Sequence, residues 1–525
     1  MMSCVSHTQR SRAAAVWLVI IVVGFLLFRV PFVLKLPGGM DEQWFSVPGY
    51  TVASEGIPRI PFVPARNPDV VFYRADEMLF ALPPGLAWLQ APFYRFFAPG
   101  YPTSRVPSLL AGVCSIVLVY LLGRDAFGDR VSGILGAALY SISRVLFFPA
   151  TVARPDMACC AFGLAAVWFT VRPQRGRDML RPIVIGVLLG SGLLMHPFAV
   201  VFCLQVAAWV LFAGKHKPIA RFRTLSVAGA TSLLILALWL PLILARPELF
   251  RSQFFNNVLN RAGPGLLERL LFPWTFVDHQ ARLVLDLAGT TQVALMIGGI
   301  VTATVVAAIH RNTSCLPGLV LGWSSMYLLT ACQGAHPTKS YWCYSGAFLI
   351  LSLGWSLSTL IRSAARWGRR TRWPGWVFVG LIFVAMIPGS GIRTWIAWQQ
   401  HRGNRNYDGR QFVRHLLAEL PAEGHYVVDP AYVLDFHVAG RDTVLNVETD
   451  DYYLDAAWRY DFLVVSRDGL EKGDPVDYDG RLYRTFGVKN DLFSCYAEVY
   501  RPAGANRRRS PSLVSDPGDR SGSRP

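Results

Sequence analysis

The sequence predicts a polytopic α-helical membrane protein of about eleven transmembrane helices, N-terminus inside and C-terminus outside, carrying a small soluble α/β C-terminal domain. Three observations predict it. Hydrophobic residues make up 53% of the chain and charged residues only 16%, against about 25% charged in an ordinary soluble domain. The apolar residues fall into separate runs near the roughly 20 residues that cross a bilayer as helix. The basic residues lie between those runs. The loops "RPQRGRDMLRP", "KHKPIARFR", "HRN" and "RSAARWGRRTR" are short and positive and alternate with longer loops of mixed charge, the pattern of cytoplasmic loops. The net charge of +17 therefore describes topology, and nucleic acid is excluded as a partner.

The first run, "AAAVWLVIIVVGFLLFRVPFVL" at 13–34, exceeds the roughly 7–15 residues of a signal-peptide core and ends in bulky residues. It reads as a retained first span with Arg10 and Arg12 inside. Further spans are expected near 105–123, 131–149, 157–171, 182–196, 197–213, 225–244, 291–309, 316–333, 341–361 and 374–392. The apolar stretch 182–213 is too long for one crossing, and "MHPF" breaks it, because Pro197 lacks a backbone donor and disfavours helix just before it. Two external loops are long, about 35–104 and about 245–290; the second has the aromatic and arginine content of short helices lying in the interface.

These features make 1–393 the membrane domain. From 394 to 502 the composition changes to that of an external α/β domain. "DGRQFVRHLLAEL" has helical periodicity, and "HYVVD", "DFLVVS" and "CYAEVY" read as short buried strands. The tail 503–525 is polar, rich in Pro and Gly, and expected to be disordered. The sequon at Asn312 falls on the inner side and reads as a chance match. Nine cysteines include no C-x-x-C pair; Cys332 and Cys343 flank one short external loop and are a candidate disulfide.

The acids of the membrane domain are few and their positions are informative. "GGMDEQWFSVPGY" places Asp41 and Glu42 just beyond the first span. They suit the start of a helix after "PGG". They equally suit a division of labour in which one carboxylate takes a proton while the other orients a substrate or holds a divalent cation. "ATVARPDMACC" brings Arg154 and Asp156 to the same membrane face, where an acid at the edge of hydrocarbon is costly unless paired or used. A metal, if one binds, would take Asp41, Glu42 and Asp156. Cations gather on that face too: Arg74 in "VFYRADEM", His196, and His336 and Lys339 beside Tyr341 in "GAHPTKSYW". Such groups can clamp a phosphate through charge-assisted hydrogen bonds.

The run of "MDEQWFSVPGY", "ALPPGLAWLQAPFYRFFAPG", the "GRDAFGDR" turn and "ARPDM" resembles the glycosyltransferase C superfamily, in particular its protein O-mannosyltransferase, aminoarabinose transferase and Rgt-like branch. The likeness covers about 10–210 closely and 211–393 by span layout. It implies an inverting transfer of a sugar from a polyprenyl-phosphate donor on the external face. It implies Asp41 as the catalytic carboxylate, Glu42 as its assistant and Asp156 as the second-loop acid. A bacterial inner membrane is expected because the loops lack extended eukaryotic-type additions. One departure stands out: Leu82 occupies the place before the Pro-Pro pair where many relatives carry Lys or His against the donor phosphate. Phosphate contacts would then fall to Arg74, His196, Lys339 or the arginines of the 245–290 loop (Arg246, Arg251 and Arg261), with Arg154, His336 and Tyr341 as the further candidates. A transporter is the rival reading, although transporters keep their ionisable groups nearer the bilayer midplane. A non-catalytic membrane scaffold with an external binding domain is the third.

Overall fold

The computed structural model describes residues 2–39, 41–173, 180–213, 218–260, 263, 265–311, 313–334, 338–366, 372–447, 453, 460–471, 480–489 and 494–502. In chain order the helices are α1 Met2–Lys35, α2 Glu42–Phe45, α3 Val47–Glu55, α4 Gly85–Phe96, α5 Tyr101–Ala126, α6 Arg130–Ser141, α7 Arg144–Thr151 and α8 Pro155–Val171. Next come α9 Leu180–Met195, α10 Val200–Ala208, α11 Pro218–Leu236, α12 Leu240–Ala245, α13 Pro247–Phe254, α14 Leu266–Leu271 and α15 Val277–Ile309. The series closes with α16 Leu316–Gln333, α17 Trp342–Arg366, α18 Arg372–Met386, α19 Ile392–Gln400, α20 Gly409–Glu419 and α21 Val433–Val438. Among the described residues five helices are long and apolar enough to cross a membrane, or up to seven if each of two bent pairs is one span; three shorter apolar helices join them. The 182–213 stretch does break at "MHPF": α9 stops at Met195, and the His196 imidazole accepts the Phe198 N–H that the break releases.

Small residues let the helices approach. A Cβ on Gly123 of α5 would lie 2.4 Å from the Gly133 Cα of α6, and one on Gly354 of α17 would lie 2.8 Å from the Gly136 nitrogen. Helices in lipid associate through such close backbone contact, because water drives nothing between them. Three breaks meet around buried polar side chains. α6 and α7 bend by 60°, the α18 and α19 segments by 59°, and α15 breaks at Gly289 (φ 74°, ψ 157°). Gln292 of α15 accepts the Arg144 N–H at 3.0 Å and donates to the Met386 carbonyl at 3.0 Å. Arg29 of α1 donates to the Ser141 carbonyl at 3.1 Å and to that of Ser390. Freed backbone groups inside a membrane protein need partners of this kind.

The C-terminal segment folds as a five-stranded sheet of order β2-β1-β3-β5-β4, with β1 His425–Val428, β2 Asp442–Leu445, β3 Phe462–Ser466, β4 Gly480–Gly487 and β5 Tyr496–Pro502. β2, β1 and β3 run parallel, and β5 is antiparallel to β3 and β4. Its core does not stop at the segment's edge. Val47, Ile60, Phe62, Val63, Ala75 and Leu79 of the segment between α1 and α4 are buried in one cluster with Phe412, Leu416, Tyr426, Val428, Phe436 and Val464. The Leu445 N–H donates to the Phe62 carbonyl at 2.9 Å, extending the sheet edge onto the loop. Loop and C-terminal segment thus form one extramembrane body.

That body clasps the end of α1. Lys35 pairs with Asp408, the Gly38 N–H donates to the Ala431 carbonyl at 3.0 Å, and the Tyr101 hydroxyl donates to the Pro430 carbonyl at 2.5 Å. Cys332 and Cys343 are both free thiols, so the candidate disulfide between them is not formed. The Cys343 thiol lies 3.9 Å from the Asp156 carbonyl, inside the bundle. Asn312 and the tail 503–525 lie outside the described residues.

Candidate active site

Asp41 follows the clasped Gly38–Gly39 and opens α2 in a left-handed conformation (φ 71°, ψ 3°). Asp tolerates that region better than most residues, at some strain. The Trp44 N–H closes the turn onto the Asp41 carbonyl at 3.0 Å. The Asp41 side chain is 54% exposed, and one of its oxygens is held by the Arg154 guanidinium. Asp41 therefore combines an anchored carboxylate with an open face, the arrangement a general base needs.

Arg154 is the hub of the site. It precedes Pro155 at the start of α8, its side chain only 5% exposed. Nη1 donates to Asp41, Nε to Asp156 Oδ2 at 2.8 Å and Nη2 to the Ser340 hydroxyl at 3.1 Å. The Phe45 ring lies 5.2 Å from its guanidinium carbon. Asp156 is fully buried, and its Oδ1 has no hydrogen-bond partner.

Glu42 is placed differently from Asp41. It is 1% exposed. Oε1 accepts from Arg105 Nε at 2.7 Å and from the Ala153 N–H at 2.7 Å, and Oε2 accepts from Arg105 Nη2. Arg105 also donates to the carbonyls of Val33, Leu36 and Pro37. This pair ties the end of α1, the start of α5 and the segment before Arg154 together. Sequence reading missed Arg105, although an arginine early in an apolar span implies a partner. It also missed Ser340, which carries no such signal.

One short segment supplies the cationic side. Lys339 pairs with Asp286 of α15, and both side chains are at least half exposed. Tyr341, two residues on, meets His196 Nε2 at 2.6 Å. Because His196 Nδ1 accepts the Phe198 N–H, a neutral ring carries its proton on Nε2 and donates it to the Tyr341 oxygen. The tyrosine proton is then left to donate elsewhere. Arg74 instead binds Glu77 twice, at 2.6 Å each, within the first loop. His336 lies outside the described residues.

The three acids do not form a cage for a divalent cation. Glu42 has its oxygens taken by Arg105 and Ala153, and the guanidinium of Arg154 lies between Asp41 and Asp156. Among the described residues no three His, Cys, Asp or Glu side chains converge on one point.

Comparison with known proteins bears on this arrangement. Residues 81–243 match the family model described as dolichyl-phosphate-mannose-protein mannosyltransferase. A stretch of 188 residues is 28% identical to the undecaprenyl phosphate-alpha-4-amino-4-deoxy-L-arabinose arabinosyl transferase 1 of Pseudomonas fluorescens. Both matches agree with the likeness to the glycosyltransferase C superfamily that the sequence motifs carry. That alignment spans 33% of this chain and 33% of the relative. The likeness of fold extends further. ArnT from Cupriavidus metallidurans, bound to undecaprenyl phosphate, superposes with a TM-score of 0.55 at 14% identity, over 92% of this chain and 98% of that one. The Archaeoglobus fulgidus oligosaccharyltransferase in complex with Zn and sulfate gives 0.54 at 15% identity, over 86% and 68%.

Proposed function

We propose that this protein is an integral membrane glycosyltransferase of the glycosyltransferase C superfamily acting on a polyprenyl-phosphate-linked sugar. The observation that carries the reading is Asp41, held on one oxygen by a buried arginine and open on the other side. The acceptor hydroxyl gives its proton to the Asp41 carboxylate as its oxygen bonds to the anomeric carbon. The bond from that carbon to the phosphate oxygen breaks, its electrons leave with the lipid phosphate, and the sugar centre inverts. Asp156 and Ser340 hold Arg154, and Arg154 holds Asp41, so the base is oriented before substrate arrives.

The Tyr341 hydroxyl and Lys339 are the groups assigned to the departing phosphate, with His196 orienting Tyr341. An exposed ion pair such as Lys339–Asp286 contributes little, on the order of 0–1 kcal/mol, so Lys339 can exchange it for a phosphate. Arg74 is engaged with Glu77 and is assigned to the loop's own structure. The ligand named for the ArnT structure, undecaprenyl phosphate, agrees with a donor of this class. Eleven spans with the N-terminus inside put Asp41 and the C-terminal body on the periplasmic face of an inner membrane.

The test is sugar transfer by purified protein from a panel of polyprenyl-phosphate sugars, with release of lipid phosphate as the readout. Loss of a general base costs on the order of 100- to 10,000-fold in rate. Asp41→Asn is expected to show that loss at an unchanged Tm. Wild-type rates from a folded Asp41→Asn would remove Asp41 from the mechanism.

A further inference from the structure

We infer that the Arg154 guanidinium is the site's permanent cation and takes the place a divalent metal would need between Asp41 and Asp156. The inference rests on the proposed role of that site. A catalytic metal bridging two carboxylates does two things: it fixes their geometry and it offsets their mutual repulsion. Arg154 already does both. Its three nitrogens are directed to three separate acceptors, Asp156, Asp41 and Ser340, and its side chain is 5% exposed. The planar fork suits two carboxylates on different sides, and an arginine does not lose its proton in a protein.

The charges close without a metal. Glu42 and Arg105 neutralise one another in a buried pair. Arg154 pairs with both Asp156, which is fully buried, and Asp41, the more exposed of the two. A divalent ion brought between the two aspartates would meet the guanidinium at contact distance and would have to expel it. Backbone also disfavours that move, since Arg154 is fixed between the Val152 carbonyl, which accepts its N–H at 2.9 Å, and Pro155. The Archaeoglobus oligosaccharyltransferase is recorded with zinc; here the corresponding chemistry is assigned to a side chain.

Removing the side chain should therefore create what the native site excludes. Arg154→Ala leaves Asp41 facing Asp156, whose Oδ1 already has no donor. Two carboxylates deprived of their cation then bind one from solution. A ligand that binds only the folded state raises its stability by mass action.

The experiment measures thermal unfolding and bound metal for wild type, Arg154→Ala and Arg154→Gln, each stripped with chelator and then titrated with Mn²⁺, Mg²⁺ or Zn²⁺. The expected result is no metal retention and no thermal shift for wild type, with a metal-dependent rise in Tm and about one bound equivalent in a variant. Arg154→Gln keeps much of the side-chain volume and serves if the alanine variant does not fold. Stoichiometric metal on wild type that Asp41→Asn abolishes would overturn the inference. So would folded variants that bind no more metal than wild type. Chelator sensitivity of wild-type transfer, restored by added metal, would overturn it while leaving the transferase reading intact. No transfer by any donor, together with the expected metal response, would count against the transferase reading and leave the Arg154 inference standing.

Discussion

Asp41 and Glu42 are neighbours in sequence with opposite surroundings, and substitution separates them. Glu42→Gln keeps the shape but leaves the Arg105 charge uncompensated at 1% exposure, and breaking one partner of a buried ion pair costs roughly 3–5 kcal/mol. Its expected signature is a large fall in Tm and in folded yield; a Glu42→Gln protein of wild-type Tm and lost transfer would restore Glu42 to the chemistry. Asp435 offers a pH test in the extramembrane body. Burial pushes its carboxyl up to about 7, against the pull of Arg105 and Arg410. The unfolded chain titrates near about 3.9, so between those values the folded state holds the extra proton and stability falls as pH rises. Asp435→Asn should match wild type near pH 4 and exceed its Tm near pH 8; equal Tm differences at both pH values would refute that assignment. At this scale the sequence made the acids and Arg154 legible, because charges at the edge of apolar runs demand an explanation. It could not distinguish a sealed carboxylate from an open one. That distinction comes from Arg105 and from the Ala153 N–H, 63 and 111 residues away from Glu42.

Among elements, the apolar runs were legible and their interruptions mostly were not. Each run holds helix, because an unpaired backbone cannot remain in hydrocarbon, and "MHPF" announced its break through Pro197. The breaks at 142–143, at Gly289 and at 389–391 depend on what lies across from them. Gln292 is 3% exposed and closes two at once, accepting from Arg144 N and donating to Met386 O. Gln292→Met retains bulk and removes both bonds, leaving a donor and an acceptor without partners. Each such buried group costs roughly 1–3 kcal/mol, so a clear fall in Tm is expected with Asp41, Arg154 and Asp156 untouched. A variant as stable as wild type would mean that the bent helices hold their angles without that bridge. The strands show the same limit. β1, β3 and β5 were visible as apolar runs, whereas β4, mostly exposed along Gly480–Gly487, has no core face to reveal it.

The whole molecule joins what the sequence separates. "IPRIPFVPAR" at 57–66 reads as loop, because its prolines deny it a ladder, yet Ile60, Phe62 and Val63 are fully buried against the C-terminal sheet. Periodicity reports which face of an element is apolar, not which distant segment covers it. The consequence reaches the site, since the clasp on Leu36–Gly38 lies immediately before Asp41. Gly409 stands at the closest approach: a Cβ there would fall 2.7 Å from the Pro37 nitrogen and 3.0 Å from the Leu36 carbonyl carbon. Both are backbone atoms, so neither can rotate away. Gly409→Val must displace α20 from the end of α1, while the shared core around Phe412 and Leu416 has no added atom to accommodate. Positioning errors near 1 Å cost on the order of 100-fold in rate. The expected outcome is folded protein with transfer reduced tenfold or more. Transfer at the wild-type rate from folded Gly409→Val would show that the Asp41 loop keeps its geometry without the clasp.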